Sequence, residues 1–127
     1  IPFHQGTFSD AMEICRFAIK RGHSVPGAFS RLLSQAVVWV REQRKGYERI
    51  ISYSDLRFGK GAVYLLNGFA KCAETSIDYW YSDGRKRFNR FAFRAKDGLK
   101  ERERAKEARV YKVFGCGSNR YELLLSP

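Results

Sequence analysis

Histidine, proline and long apolar runs are scarce in this chain of 127 residues, and each shortage narrows what the protein can be. His4 and His23 are its only histidines, so we do not expect a histidine-based metal centre, and no metal site is predicted. Three prolines lie at positions 2, 26 and 127 and leave the middle of the chain uninterrupted. No run approaches the roughly 18 apolar residues of a membrane-spanning helix, and no charged and then apolar leader opens the chain. We therefore expect a soluble, cytoplasmic protein without a membrane partner.

Cysteine is also sparse, with single residues at Cys15, Cys72 and Cys116. Their odd number, their wide separation and the lack of a CxxC or paired-histidine spacing argue against a zinc site or a disulfide framework. We expect three buried free thiols.

Basic residues, by contrast, are in large excess. The chain has 24 Lys and Arg but only 13 Asp and Glu, which gives a formal net charge of +11. Such a surplus repels itself unless an anion neutralises it, and nucleic acid is the usual partner. A membrane surface would require a basic amphipathic helix with a continuous apolar face, and no segment has that pattern. Double-stranded DNA is the partner we expect; the alternatives are an acidic protein and a solvated basic surface without a partner.

Apolar periodicity predicts an α/β (α+β) domain of strand, helix, strand, helix and then antiparallel hairpins. The predicted strands are 13–19 and 49–54, and the predicted helices are 26–44, capped by Ser24, and 59–67. Strands 74–81 and 87–94 form a hairpin around a Ser-Asp-Gly turn at 82–84. An exposed charged helix at 100–109 and a final hairpin within 110–125 complete the chain. The order implies at least one parallel strand pair.

The densest basic segment is 85–96, which has six cations and no acid. On a strand, Arg90 and Arg94 share one face while Phe91 and Phe93 take the other, so the sequence predicts a row of guanidinium groups suited to phosphates. Aromatic residues across the hairpin offer stacking surface for an unpaired or flipped base, although core packing is an alternative. The predicted nucleic-acid-binding residues are Arg85, Lys86, Arg87, Arg90, Arg94, Lys96, Tyr79 and Trp80.

A second candidate site follows the buried strand that ends in SYSD. Asp55 lies between that strand and a glycine-containing loop, where polar groups of α/β proteins point into the ligand crevice. Its carboxylate is suited to accept a proton or orient a nucleophile, and Tyr64 in the next helix reaches the same crevice. Asp55 and Tyr64 are the candidate catalytic residues; a loop-bracing acid and a core aromatic are the alternative.

The loop before the long helix is a candidate cofactor site, because amides at a helix N-terminus attract a pyrophosphate. Ser24, Gly27 and Ala28 are its candidate residues, and a plain helix cap is the alternative.

The order of these parts resembles two known families. EICRF, SVPGAFSRLL, IISYSDLRFGKGAVYLLNGF, DYWYSDGRKRFNRFAFRAK and YKVFGCGSNRYEL are similar to the GNAT-like module of phage homing-endonuclease proteins. More distantly, they are similar to the Mom-type phage proteins that modify adenine in DNA. The second resemblance implies that Asp55 and Tyr64 belong to an active site, and the GNAT-like order implies acetyl-CoA or a related acyl-CoA at the cofactor loop.

Our leading hypothesis is a DNA-binding GNAT-like module of a phage homing-endonuclease-type protein that contacts the DNA backbone through its basic hairpin. The alternatives are a Mom-like transferase that modifies a DNA base and a basic protein-interaction module. The sequence has no cluster of acids with a matching lysine or histidine, so it shows no nuclease centre. Whether this chain is catalytic is left open at this point. Because the chain begins at Ile1, we expect a single domain, 1–127, from a longer protein. A nuclease or transferase segment would precede it, and the protein would work in the infected bacterial host.

Overall fold

A computed structural model describes residues 3–5, 8–43 and 46–125 of the chain. Its helices and its mixed and antiparallel sheets confirm the predicted α+β class. The fold divides into two compact units, of which unit 1 comprises Ile1–Thr75 and Ser118–Pro127 and unit 2 comprises Ser76–Gly117. Within the described ranges, no helix is both long enough and apolar enough to cross a membrane.

Unit 1 is a five-stranded mixed sheet with two helices. Its elements are β1 (Phe3–Gln5), β2 (Ala11–Ile14), α1 (Ala28–Glu42), β3 (Arg49–Asp55), α2 (Ala62–Leu66), β4 (Ala70–Glu74) and, from the end of the chain, β8 (Ser118–Leu124). The strand order is β1-β2-β3-β8-β4. Strands β2 and β3 are parallel, which confirms the predicted parallel pair, and the other pairs are antiparallel.

The core of unit 1 forms where α1 packs its apolar stripe against the sheet. Phe29, Leu33, Ala36 and Val40 are buried at the spacing of one helix face, as the sequence predicts. Three of them, Phe29, Leu33 and Val40, form one apolar cluster with Met12 and Ile14 of β2 and Ile50 of β3. Met12 and Ile14 share a face because alternate strand residues point to the same side of a sheet. The helix begins after Gly27, whose φ of 73° is left-handed, and no side chain caps it, so the predicted Ser24 cap is wrong.

A charged network holds the end of β8 to the start of β3. Arg49 donates from Nη1 to both carboxylate oxygens of Glu122 at 3.0 Å and from Nη2 to Asp10 at 3.2 Å. The ring of Phe8 lies under two guanidinium groups, those of Arg49 and Arg120. This network fixes the two central strands in register.

Unit 2 is a three-stranded antiparallel sheet with a short helix and a 3-10 turn. Its elements are β5 (Tyr79–Ser82), β6 (Arg87–Phe88), a 3-10 helix (Arg90–Phe93), α3 (Glu101–Glu107) and β7 (Tyr111–Phe114). The strand order is β6-β5-β7. Tyr81, Phe93 and Ala105 form the core of this unit.

Several predicted elements are wrong. The first strand ends at Ile14 instead of continuing to 19, because residues 15–20 leave the sheet and most of them are exposed. Predicted strand 74–81 is replaced by the separate strands β4 and β5. The final hairpin does not form: β7 pairs with β5, whereas β8 pairs with β3 and β4.

The cysteine prediction is half right. Cys15, Cys72 and Cys116 are free thiols, as expected, but all three are exposed. They lie in the loop after β2, on β4 and in the loop after β7.

Candidate functional site

The first candidate site lies where the parallel ladder of β2 and β3 ends. The last paired residues are Ile14 and Ser52, and β3 continues for three more residues to Asp55. At this point the Ser52 hydroxyl lies 3.2 Å from the Ile14 carbonyl oxygen and 2.9 Å from the Tyr64 hydroxyl. The predicted catalytic tyrosine therefore lies at the opening of the ladder.

The hydroxyl groups of Ser52 and Tyr64 form a directed chain. Ser52 has one proton, which it donates to the Ile14 carbonyl, because a carbonyl only accepts. The Tyr64 hydroxyl oxygen lies within hydrogen-bond distance of Ser52 Oγ, and a phenol oxygen can accept as well as donate a hydrogen bond. That arrangement can orient a ligand that carries an N–H group.

Aromatic contacts fix the ring of Tyr64. It packs edge-on against Phe29 at 5.6 Å and Phe69 at 5.4 Å, and it stacks on Tyr121 at 5.2 Å between ring centroids. Phe29 belongs to the first turn of α1, so the start of that helix lies against the tyrosine. Ser30, the next residue, donates to the side chain of Asn67 at 2.7 Å. The end of β3, the start of α1 and helix α2 therefore meet at one place.

Asp55 is held by its own loop. Its carboxylate accepts from the Arg57 amide at 3.0 Å and forms an ion pair with the Arg57 guanidinium. The loop is further fixed where Ser54 donates to the Gly59 carbonyl at 2.8 Å and where Tyr121 donates to the Lys60 carbonyl. These contacts agree with the loop-bracing alternative for Asp55. They also place its charge at the carboxyl end of β3, as the sequence predicts.

The predicted cofactor loop does not form a pyrophosphate cradle. Pro26 has no amide hydrogen, and the amide of Ala28 donates to the Val25 carbonyl at 3.1 Å. Ser24 is exposed and does not cap the helix. Gly27 and Ala28 do lie directly before Phe29 and so border the Tyr64 site, but these residues do not fit the pyrophosphate of an acyl-CoA.

The second candidate site lies in unit 2, which carries half of the cations in a third of the chain. Residues 76–117 contain twelve Lys and Arg against six Asp and Glu, a surplus of six positive charges. Unit 2 therefore holds six of the eleven surplus positive charges of the chain. A surface of this kind attracts the phosphates of nucleic acid.

Part of this charge surrounds a pocket of about 320 Å³. The pocket is formed by residues at the start of β5, on β6 and around the 3-10 helix. Four of the eight predicted nucleic-acid-binding residues contribute to its wall, together with an acid, an amide and a further aromatic ring. The lining residues are Asp78, Tyr79, Trp80, Arg87, Asn89, Arg90 and Phe91.

Guanidinium groups at this pocket lie on aromatic rings. Arg87 lies over Trp80 at 4.1 Å from the ring centroid, and Arg94 lies over Phe91 at 4.2 Å. Arg90 lies 5.3 Å from the ring of Tyr79 and 5.2 Å from that of Phe91. These contacts hold the cations in place, since a positive charge is attracted to the face of an aromatic ring.

The predicted guanidinium row on a strand is nevertheless wrong. Strand β6 stops at Phe88, because Asn89 accepts a hydrogen bond from the Phe91 amide at 3.0 Å and turns the chain into a 3-10 helix. Arg90 and Arg94 are therefore not neighbours on a strand face, and Phe91 is 52% exposed where a core position was predicted. Phe93 is buried, as expected.

The other predicted cations lie away from the lining of this pocket. Arg85 and Lys86 follow the turn after β5, where their amides donate to Asp83 at 2.8 and 2.7 Å. Lys96 forms a short bridge with Leu99. Trp80 also differs from the prediction of an open stacking surface, because Arg87 already lies over its ring.

Sequence reasoning missed a second basic groove in unit 2. This groove, of about 470 Å³, has an apolar floor and three cations, and it is lined by Tyr81, Arg102, Ala105, Lys106, Val110 and Lys112. Arg102 and Lys106 are four residues apart on α3, a spacing that the charged segment 100–109 displays. The contribution of Lys112 depends on the pairing of β7 with β5, which no local pattern shows.

The protein is therefore an α+β protein with a polar site at the end of a parallel ladder and a basic, aromatic-lined pocket. Comparison with known families is more specific: residues 3–127 match the Mom protein family, and the chain belongs to it. This match confirms the more distant of the two resemblances, to Mom-type phage DNA-modification proteins. The resemblance to the homing-endonuclease module gains no support. No curated protein matches the chain.

Proposed function

We propose that this protein is a Mom-type transferase that modifies a base in double-stranded DNA inside the phage-infected cell. The observation that carries the proposal is the position of Tyr64, whose hydroxyl lies 2.9 Å from Ser52 where the ladder of β2 and β3 opens. Membership of the Mom family supplies the reaction class, and the basic unit 2 supplies affinity for the phosphate backbone.

In this proposal Tyr64 positions the base. Its hydroxyl oxygen, which lies beside Ser52, can accept from an exocyclic amino group, the part of adenine that would receive the new substituent. Asp55, at the carboxyl end of the same strand, is the residue we propose to accept the proton that the amine loses when it takes up the new substituent. Arg57 holds the carboxylate in place until then.

Pro26 and Ala28 offer no free amide to the pyrophosphate of an acyl-CoA, so the 24–28 loop gives no support to an acyl-CoA as the donor of the transferred group. No step is therefore assigned to that cofactor. The chemistry of the chain itself is limited to binding DNA, orienting the amine and accepting its proton.

A second candidate function is DNA binding without chemistry, as a module of a larger phage protein. The ion pair between Asp55 and Arg57 favours it, because a carboxylate engaged in this way also serves to brace a loop. The two candidates differ in the fate of the DNA: only a transferase changes its composition.

The test is to express the protein in bacteria, where the donor is present, and to digest plasmid DNA to nucleosides for mass spectrometry. We expect a new modified nucleoside with the wild-type chain and at least a hundredfold less of it with Tyr64→Phe or Asp55→Asn, at unchanged DNA affinity. Tyr53→Phe and Asp97→Asn are the matched controls and should leave the yield unchanged. Unmodified DNA with the wild-type protein would reject the transferase in favour of the binding module.

A further inference from the structure

We propose that the 320 Å³ pocket of unit 2 binds one unpaired nucleotide of opened DNA. This inference rests on the proposed function and extends it, because an enzyme that works on a base must first take the base out of the stack. Extrusion leaves the target base and its former partner unpaired. A pocket for a single nucleotide holds the DNA in this opened state.

The size and composition of the pocket fit a nucleotide. Its volume lies at the lower end of the range for small-molecule sites, which suits a ligand of one base, one sugar and one phosphate. Arg87 and Arg90 supply guanidinium groups for the phosphate. The rings of Tyr79 and Phe91 supply apolar surface for the base.

The aromatic rings are what distinguish an unpaired nucleotide from intact duplex. A paired duplex presents phosphates and base edges to a protein, so cations alone would suffice to bind it. Ring faces inside a pocket contribute only when a base leaves the stack, and such stacking is worth about 1–3 kcal/mol per base. Phe91, which is 52% exposed and lies among Arg90 and Arg94, is the ring best placed to receive it.

Several contacts hold the walls of the pocket in shape. The Tyr79 hydroxyl donates to Glu101 at 2.5 Å, which fixes the orientation of its ring. Asp78 accepts from the Tyr79 amide at 2.8 Å and from the Arg90 guanidinium at 3.2 Å. Asn89 accepts from the Phe91 amide and so fixes the backbone on the other side. A pocket fixed in this way loses little entropy when a ligand binds.

The experiment compares two labelled DNA duplexes that differ by a single-base bulge, with binding measured by fluorescence anisotropy. We expect the full chain to bind the bulged duplex about tenfold more tightly than the fully paired one, from the stacking of one base. Phe91→Ala should lower the affinity for the bulged duplex more than the affinity for the paired duplex, so that the preference disappears. Tyr111→Ala, which removes another exposed ring of the same unit, is the control and should keep the preference.

A second measurement locates the nucleotide directly. In a Trp39→Phe variant, Trp80 is the only tryptophan, so its fluorescence reports on the pocket. Deoxyadenosine monophosphate should change this fluorescence, and inorganic phosphate at the same concentration should not. Equal binding of both duplexes by the wild-type chain, or a preference that survives Phe91→Ala, would overturn the proposal.

The result of the bulge-binding experiment can be distinguished from the result of the test of the proposed function. A bulge preference without any modified nucleoside would keep the pocket and reject the transferase. A modified nucleoside with no bulge preference would reject the pocket and keep the transferase.

Discussion

Gly61 lies against the ring of Tyr121 so closely that a Cβ atom at this position would be 2.5 Å from Cε2 of the ring. The residue also has a φ of 80°, a left-handed conformation that side chains with a Cβ rarely adopt. Tyr121 in turn donates to the Lys60 carbonyl and stacks on Tyr64. The contact therefore connects the loop after β3 with the ring that orients the candidate catalytic tyrosine.

From this contact we predict that Gly61→Ala destabilises the protein by about 3 kcal/mol, through backbone strain and displacement of the Tyr121 ring. Gly22→Ala should cost only about 1–2 kcal/mol, because Gly22 has a φ of 79° but open space around it. Gly59→Ala, with neither constraint, should change stability by less than about 1 kcal/mol. Urea unfolding of the three variants measures this order, and an equal decrease in all three would contradict it.

A second prediction concerns pH and the Glu101 carboxylate. Hydrogen bonds from the hydroxyl groups of Tyr79 and Tyr81 lower the pKa of Glu101 in the folded protein. A carboxyl group whose pKa falls on folding stabilises the native state above its unfolded pKa of about 4.3, and this stability is lost as the pH falls through the lower folded value. Glu101→Gln should therefore reduce the loss of stability of unit 2 between pH 5 and about 2.

The measurement is the midpoint of urea unfolding over that pH range, with Trp80 fluorescence in a Trp39→Phe background as the signal. Glu107→Gln, on the same helix, serves as the control and should follow the parent protein. If Glu101→Gln and Glu107→Gln lose the same stability as the pH falls, Glu101 does not contribute.

Burial and the hydrogen bond to Glu101 raise the pKa of Tyr81 to about 12, so a second loss of stability is expected as the pH rises from about 10 through 12.

A third prediction follows from the 3-10 helix that replaces the expected strand. Phe93 is 9% exposed and packs on Tyr81 at 4.8 Å between ring centroids, whereas Phe91 is 52% exposed. Phe93→Ala should destabilise unit 2 by about 3 kcal/mol because it leaves a cavity, and Phe91→Ala by less than about 1 kcal/mol. Chemical denaturation distinguishes them; similar decreases would indicate the alternating strand predicted from the sequence.

The fourth prediction concerns the salt dependence of DNA binding. Replacing Arg87, Arg90 and Arg94 together by Ala should weaken binding to double-stranded DNA, and it should flatten the slope of affinity against salt by about one unit for each phosphate that is no longer neutralised. Replacing Arg16, Lys20 and Arg21, which lie exposed in unit 1, removes the same charge and is the control. Anisotropy titrations between about 50 and 200 mM salt measure both, and equal changes would show that only net charge matters.

Local sequence patterns predicted the elements that are fixed by local physics. The stripe of Phe29, Leu33 and Val40 predicted α1 because a helix must bury one face, and the buried run before Asp55 predicted β3 for a similar reason. The predicted placement of Asp55 at the end of a strand and of Tyr64 in the next helix followed from these two elements. The conformation of the candidate cofactor loop could not be predicted in this way, because the hydrogen bond from the Ala28 amide to the Val25 carbonyl depends on how the chain turns before α1.

The sequence by itself determined the α+β class, the basic excess and the composition of the 85–96 segment, because these depend on residue type and on spacing along the chain. Only the tertiary structure decided which rings and cations meet in one pocket and that β7 and β8 pair with different sheets. The physical reason is that a strand is completed by hydrogen bonds to partners far along the chain. Similarly, the strand-like pattern after Phe88 forms a 3-10 helix in which the Asn89 side chain accepts from the Phe91 amide and the Phe91 side chain is exposed.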